Sequence, residues 1–160
     1  MGQFLKIATP SFLIGALVGA AGWYLFSPLF IDQVVNEQLI VAPAAQTLAT
    51  GAFEGADRVH QGSGTATLIQ NADGTLQVQF ADFDVTNGPD LKVYLSAHDG
   101  PTSSSDVANT AWTSLGPLKG NIGDQAYTIP ADVDRSTLRS VVIWCEQFGV
   151  LFASAPLLQG

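Results

Sequence analysis

From Ile7 to Ile31 the chain runs 25 residues without a formal charge, whereas after Gly51 it breaks into short stretches with apolar side chains at every second position. The two patterns predict two different objects. In the first, Phe12, Leu13, Ile14, Leu17, Val18, Leu25, Phe26, Leu29 and Phe30 supply apolar surface. A helix rising about 1.5 Å per residue crosses a hydrocarbon layer of roughly 30 Å in about 20 residues. The run therefore predicts one N-terminal transmembrane helix, placed within residues 1–31. Pro10 and Pro28 lie near its ends, where a helix tolerates proline, and Trp23 and Tyr24 suit an interface. Gly15 and Gly19, with Ala16 and Ala20 one residue later, put small side chains four apart on one face, the spacing that lets a partner helix approach. Lys6 precedes the run and Asp32 and Glu37 follow it, which orients Met1 to the cytoplasm and the rest outside. A cleaved signal ending near Ala20 or Ala21 is the alternative, although the apolar stretch outlasts a usual signal core of about 7 to 15 residues. Both place the remainder beyond the cytoplasm.

Residues 32–50 read as a short amphipathic continuation through Val41 and then a linker holding the domain off the bilayer, Pro43 marking the break. Residues 51–160 read as one β domain. Thr65 to Gln70 and Thr75 to Phe80 alternate on either side of an Asn71-Ala72-Asp73-Gly74 turn, which predicts a β-hairpin with Leu76, Val78 and Phe80 on one face. Further strands are expected at Asp82 to Val85, Leu91 to Ser96, Trp112 to Leu115, Gln125 to Ile129, Ser140 to Cys145 and Val150 to Ala155, with one helical turn within Ala131 to Leu138. Many short strands with regular turns make the expected fold all-β, an antiparallel β-sandwich or barrel-like domain.

Composition narrows the partners. Asp and Glu outnumber Lys and Arg by 14 to 6, a formal net charge of -8, and such a surface repels a phosphate backbone, so nucleic acid is excluded. Apolar types make up 47% of the chain, which requires a packed core. The partners expected are the bilayer and, through the small-residue face, another transmembrane helix, from a second copy or from a larger membrane complex.

Cys145 is the only cysteine. It cannot close an internal disulfide, so any redox chemistry must recruit a partner from outside the chain. It ends a strand that is apolar on both faces, Val141, Ile143 and Cys145 against Val142 and Trp144, as expected for a central strand covered on both sides. Trp144 and Glu146 flank it. Only a thiolate attacks or ligates, and free cysteine is also among the most buried side chains; a redox thiol and a packing residue both stay open.

No cofactor is evident. Covalent haem needs CxxCH, and a blue-copper centre needs histidine shortly after the ligand cysteine; after Cys145 there is neither histidine nor methionine. His60 and His98 lie in polar, loop-like contexts and are expected to be solvated or hydrogen-bonded. Asp82, Asp84 and Asp90 around Asn87-Gly88-Pro89 miss the EF-hand spacing and read as a turn. Gly62-Ser63-Gly64 lacks the lysine of a phosphate loop, and no GxSxG is present. Trp112, Trp144 and Tyr94 could line a carbohydrate or ligand face, but aromatic residues in strands are more often core.

The succession GSGTATLIQNADGTLQVQFADFDVTNGPDLKVYLS, then YTIP, then SVVIWCEQFGVLFASAPL resembles the DM-thirteen, or electron-transfer DM, domain over roughly residues 50–158. The resemblance implies a β-sandwich-like domain outside the cytoplasm whose characteristic cysteine falls on Cys145. It also implies a part in electron transfer or oxidative modification, often beside haem-binding or membrane cytochrome modules, which makes a membrane electron-transfer complex the expected partner; the chain is not expected to be an enzyme on its own. The competing expectation is a noncatalytic subunit of a membrane complex in which Cys145 fills space.

Overall fold

The computed structural model describes residues 2–27, 30–39 and 45–159, and the chain divides into two compact units between Ile31 and Asp32. The first is helix α1, Gly2–Phe26. It begins earlier than the uncharged run and stops at Phe26; Ser27 precedes Pro28, and the residue before a proline is pushed out of helical geometry. Phe12, Leu13, Ile14, Leu17, Val18, Trp23, Tyr24 and Phe26 are all exposed on it, and at about 100° per residue they point to every side. Among the described residues no helix is long and apolar enough to cross a membrane, so the spanning helix expected from the sequence is not shown. Part of the predicted run, namely Pro28, Leu29 and the side chains of Ile7 and Leu25, lies outside the described residues.

The second unit is a β-sandwich of two open five-stranded sheets, not a closed barrel. Its strands are β1 (Gln46–Ala52), β2 (Glu54–Gly55), β3 (Gly62–Gln70), β4 (Leu76–Val85), β5 (Leu91–Ser96), β6 (Trp112–Pro117), β7 (Gln125–Ile129), β8 (Ser140–Cys145), β9 (Val150–Pro156) and β10 (Leu158–Gln159). One sheet runs β10-β1-β3-β4-β7, the other β2-β9-β8-β5-β6, and all pairings are antiparallel. The period-two alternation does what it predicts. Ala66, Leu68, Val78 and Phe80 from one sheet and Val93, Leu95, Val141, Ile143 and Cys145 from the other form one buried core.

Two strands expected around Ala81 are one. Leu76, Val78 and Phe80 face the core, then Phe83 and Val85 do so after a step of three instead of two. The phase shift is a bulge opposite Gly64, whose φ of 107° and lack of a Cβ let Asp82, itself at φ 50°, pass close by. The sheets approach closely where a Cβ on Gly51 would run into Pro156 O and one on Gly62 would lie 2.5 Å from that of Ala153. Small residues at that edge substitute for interdigitating ones.

Two corrections concern the connections. Asp32–Glu37 is not a helical continuation but an extended strap lying on the β unit. Val35 N–H donates to Ile122 O at 2.9 Å and Glu37 N–H to Asp124 O at 2.9 Å, with Val34 in a parallel bridge to Ile122. Ile40–Ala44, including the expected end at Val41, lie outside the described residues. Residues 46–50, read as linker, belong to β1. Helix α2, Ser104–Ala108, was also unforeseen; Ser103 and Asp106 form its capping box and Val107 is buried beneath it.

Candidate functional site

β8 is the middle strand of its sheet, between β9 and β5, and all six of its residues are buried. Val141, Ile143 and Cys145 enter the core between the sheets, while Val142 and Trp144 join Tyr94, Val107 and Leu151 in a second cluster on the outer face. α2 supplies Val107 to that cluster and is fastened by Ser104, whose hydroxyl accepts from Leu151 N–H at 3.0 Å. Coverage on both sides explains why the strand carries no polar side chain beyond Ser140.

Cys145 is a free thiol with no exposed surface. Leu91 of β5 and Val150 of β9 lie opposite it. The turn Glu146–Gly149 follows at once, exposed throughout its four residues, with Phe148 at 65%. Gly149 N–H donates to Cys145 O at 2.9 Å and Glu146 N–H to Asp90 O at 3.0 Å, and Gly149 turns through φ 62°. The hairpin turn thus begins one residue beyond the thiol, whose side chain lies in the core between the sheets. The two flanking residues point away from it: Trp144 is on the outer face, and the Glu146 carboxylate accepts from the Tyr94 hydroxyl at 2.9 Å.

Around that last contact the structure gathers side chains that sequence reading treated separately. Trp112, at the start of edge strand β6, stacks on Tyr94 with ring centroids 4.3 Å apart and planes 10° apart, and Trp144 lies 6.4 Å from Tyr94 at 27°. Lys92 bridges Asp90 at 2.8 Å and Glu146 at 3.7 Å; the Asp90 contact chiefly raises the lysine above its usual range. Burial, then the hydrogen bond and charge of Glu146, push Tyr94 up to about 12. Tyr94 and Trp144 are core as expected, but Trp112 is 48% exposed. Strand pairing could have signalled this, since Trp112 sits two residues before Ser114, the partner of Tyr94.

The remaining candidates stay apart from this group. His60 Nδ1 is 2.8 Å from Asp57 Oδ2, whose other oxygen accepts the Val59 and His60 N–H groups, and its ring lies on Phe152 at 4.3 Å. The His60 contacts hold Asp57 down to about 2. His98 Nδ1 accepts from Gly100 N–H at 3.3 Å. Asp82 and Asp84 are exposed, and among the described residues no group of three His, Cys, Asp or Glu side chains could hold a metal ion. In α1, a Cβ on Gly15 or Gly19 would meet nothing within 4 Å, and Ala16 and Ala20 are exposed beside them.

These features define an antiparallel β-sandwich domain with one buried thiol at the end of a central strand and a stacked aromatic group on the outer side of the same sheet. Its residues 53–157 match the family model Electron transfer DM13. The chain belongs to that family, as its resemblance in sequence implied. No curated protein and no solved structure matches it.

Proposed function

We propose that this chain is a membrane-anchored, extracytoplasmic electron-transfer domain, α1 being the anchor and Cys145 its redox thiol, working with a partner in the membrane rather than as an enzyme alone. The observation that carries the electron-transfer part is the family match over residues 53–157. Anchoring is supported by α1, whose exposed apolar side chains face every direction and so favour an apolar medium on all sides. The thiol lies one residue from an exposed turn. For Cys145 to undergo thiol–disulfide exchange its sulfur must become exposed, and the nearest local route is opening of the adjacent Glu146–Gly149 turn, which parts Gly149 N–H from Cys145 O. Local opening of this kind costs less than global unfolding when few contacts hold the segment.

A second reading is favoured by one specific observation, the complete burial of Cys145 among Leu91, Ile143 and other apolar side chains. Here the thiol only fills space, and the domain is a noncatalytic accessory of a membrane complex whose helix packs through Gly15, Gly19, Ala16 and Ala20. Alkylation of the native full-length chain in mild detergent separates the two. The redox reading expects Cys145 to be modified at a rate set by turn opening, well below that of the denatured chain but measurable. A thiol that stays unmodified until the chain unfolds, and forms no mixed disulfide, sinks that reading and leaves the packing one.

A further inference from the structure

We propose that Tyr94 is a one-electron relay, with the Glu146 carboxylate as its proton acceptor and the exposed Trp112 indole as its port to an outer-sphere oxidant of high potential, such as a high-valent metal centre. The inference deepens the electron-transfer reading above and rests on it. Three geometric facts carry it. Tyr94 is 1% exposed, and its hydroxyl donates to Glu146 Oε1 at 2.9 Å. Its ring overlaps Trp112 nearly face to face at 4.3 Å, while Trp112 itself is half open to solvent. Lys92 reaches Glu146 at 3.7 Å while anchored to Asp90 at 2.8 Å, which keeps an ion pair beside the acceptor carboxylate.

A phenol that loses an electron becomes a strong acid, so its oxidation is easy only where the proton has somewhere to go. The Glu146 carboxylate is placed to take it. In the balanced step, Tyr94 O–H and Glu146 carboxylate become a neutral Tyr94 phenoxyl radical and a protonated Glu146; one electron passes through Trp112 and reduces the oxidant by one unit. Re-reduction returns the electron to Tyr94 and the proton from Glu146. Burial first, and then the hydrogen bond and charge of Glu146, push the phenol up to about 12, so at neutral pH the proton is still present when the electron leaves and passes along the hydrogen bond to Glu146. On its other side Tyr94 faces Trp144 at 6.4 Å, the residue preceding Cys145, which continues the path toward the thiol's strand.

The test is flash oxidation of the full-length chain in mild detergent by photogenerated tris(bipyridyl)ruthenium(III), followed by electron paramagnetic resonance and transient absorption. The wild type gives a neutral tyrosyl radical, and Tyr94→Phe removes it. Glu146→Gln keeps a hydrogen-bond acceptor but not a base, and slows radical formation by about a hundredfold; Glu146→Asp recovers part of the rate, which a merely structural role for the contact does not predict. Trp112→Leu slows it with the proton acceptor intact. An unchanged radical in Tyr94→Phe, or an unchanged rate in Glu146→Gln, overturns the relay. The outcome is separable from the thiol reading: a Tyr94 radical in a chain whose Cys145 resists alkylation leaves the relay standing alone, and an alkylatable Cys145 with no Tyr94 radical does the reverse.

Discussion

Because Cys145 has no exposed surface, a substitution there reads the packing around it before it reads any chemistry. Alanine removes one heavy atom and leaves a small cavity at a cost of about 1 kcal/mol. Serine keeps the shape but buries a hydroxyl among Leu91, Val93 and Ile143, at about 1–3 kcal/mol when it finds no partner. Urea unfolding at constant slope is therefore expected to place the midpoints in the order wild type, Cys145→Ala, Cys145→Ser. A serine variant as stable as wild type would show a polar contact at the site and count against an apolar thiol pocket. The strand that carries it was legible in the sequence, but the thiol's accessibility was not. Its double-faced strand, Val141 to Cys145, told which face the thiol takes and that both faces are covered, because strand periodicity is strict. The partner of Glu146 was not legible, since Tyr94 lies 52 residues away and only strand pairing joins them.

The strap Asp32–Glu37 shows how an element without periodicity escapes sequence reading. It holds to the β unit through polar contacts at particular atoms. Asp32 accepts from Asn87 at 2.7 Å and Asn121 at 3.0 Å, Gln33 N–H donates to Asn121 at 2.7 Å, and Glu37 takes Lys119 at 2.7 Å and Ala126 N–H at 2.9 Å. A mixed polar and apolar stretch before Pro43 resembles a linker just as well. β1 was missed for a related reason: its buried positions are Ala49 and Gly51, too small to mark an apolar face. α2 did carry a signal, Ser103 followed three residues later by Asp106, masked by the serine run around it. The strands that were placed correctly, such as β5, β7 and β8, carry large apolar side chains at alternate positions. For the strap a pH effect follows. Hydrogen bonding from Lys119 chiefly, and from Ala126 N–H, lowers Glu37 below its usual range. A depressed carboxyl stabilises the fold fully above its unfolded pKa, and that contribution is lost as pH falls through the lower folded value. Hydrogen exchange at Val35 and Glu37 N–H, corrected for intrinsic rates, is expected to quicken through that acid window. In Glu37→Gln it should already be fast at neutral pH; equal protection in the two proteins would show that the ion pair does not hold the strap.

At the scale of the molecule, the two units differ in what they need from their surroundings. The β unit draws its buried core from Ala49 to Leu157, whereas the described large apolar side chains of α1, from Phe12 to Phe26, are exposed on every side. A chain beginning at Asp32 is therefore expected to unfold in one cooperative transition at the same urea midpoint as the β unit of the full-length chain, and to stay in the aqueous phase when detergent is phase-separated. The full-length chain should enter the detergent phase and remain with membranes after alkaline carbonate extraction. Beginning instead at Gln46 deletes the strap with its hydrogen bonds from Gln33, Val35 and Glu37. At about 0.5–1.5 kcal/mol for each bond made, the midpoint of this shorter chain should fall clearly below that of the chain from Asp32. The three chains thus assign separate roles to segments that sequence reading joined as anchor and linker. If the chain from Gln46 matches the one from Asp32, the strap is only lying on the domain; if the full-length chain washes off membranes in carbonate, α1 is not an anchor.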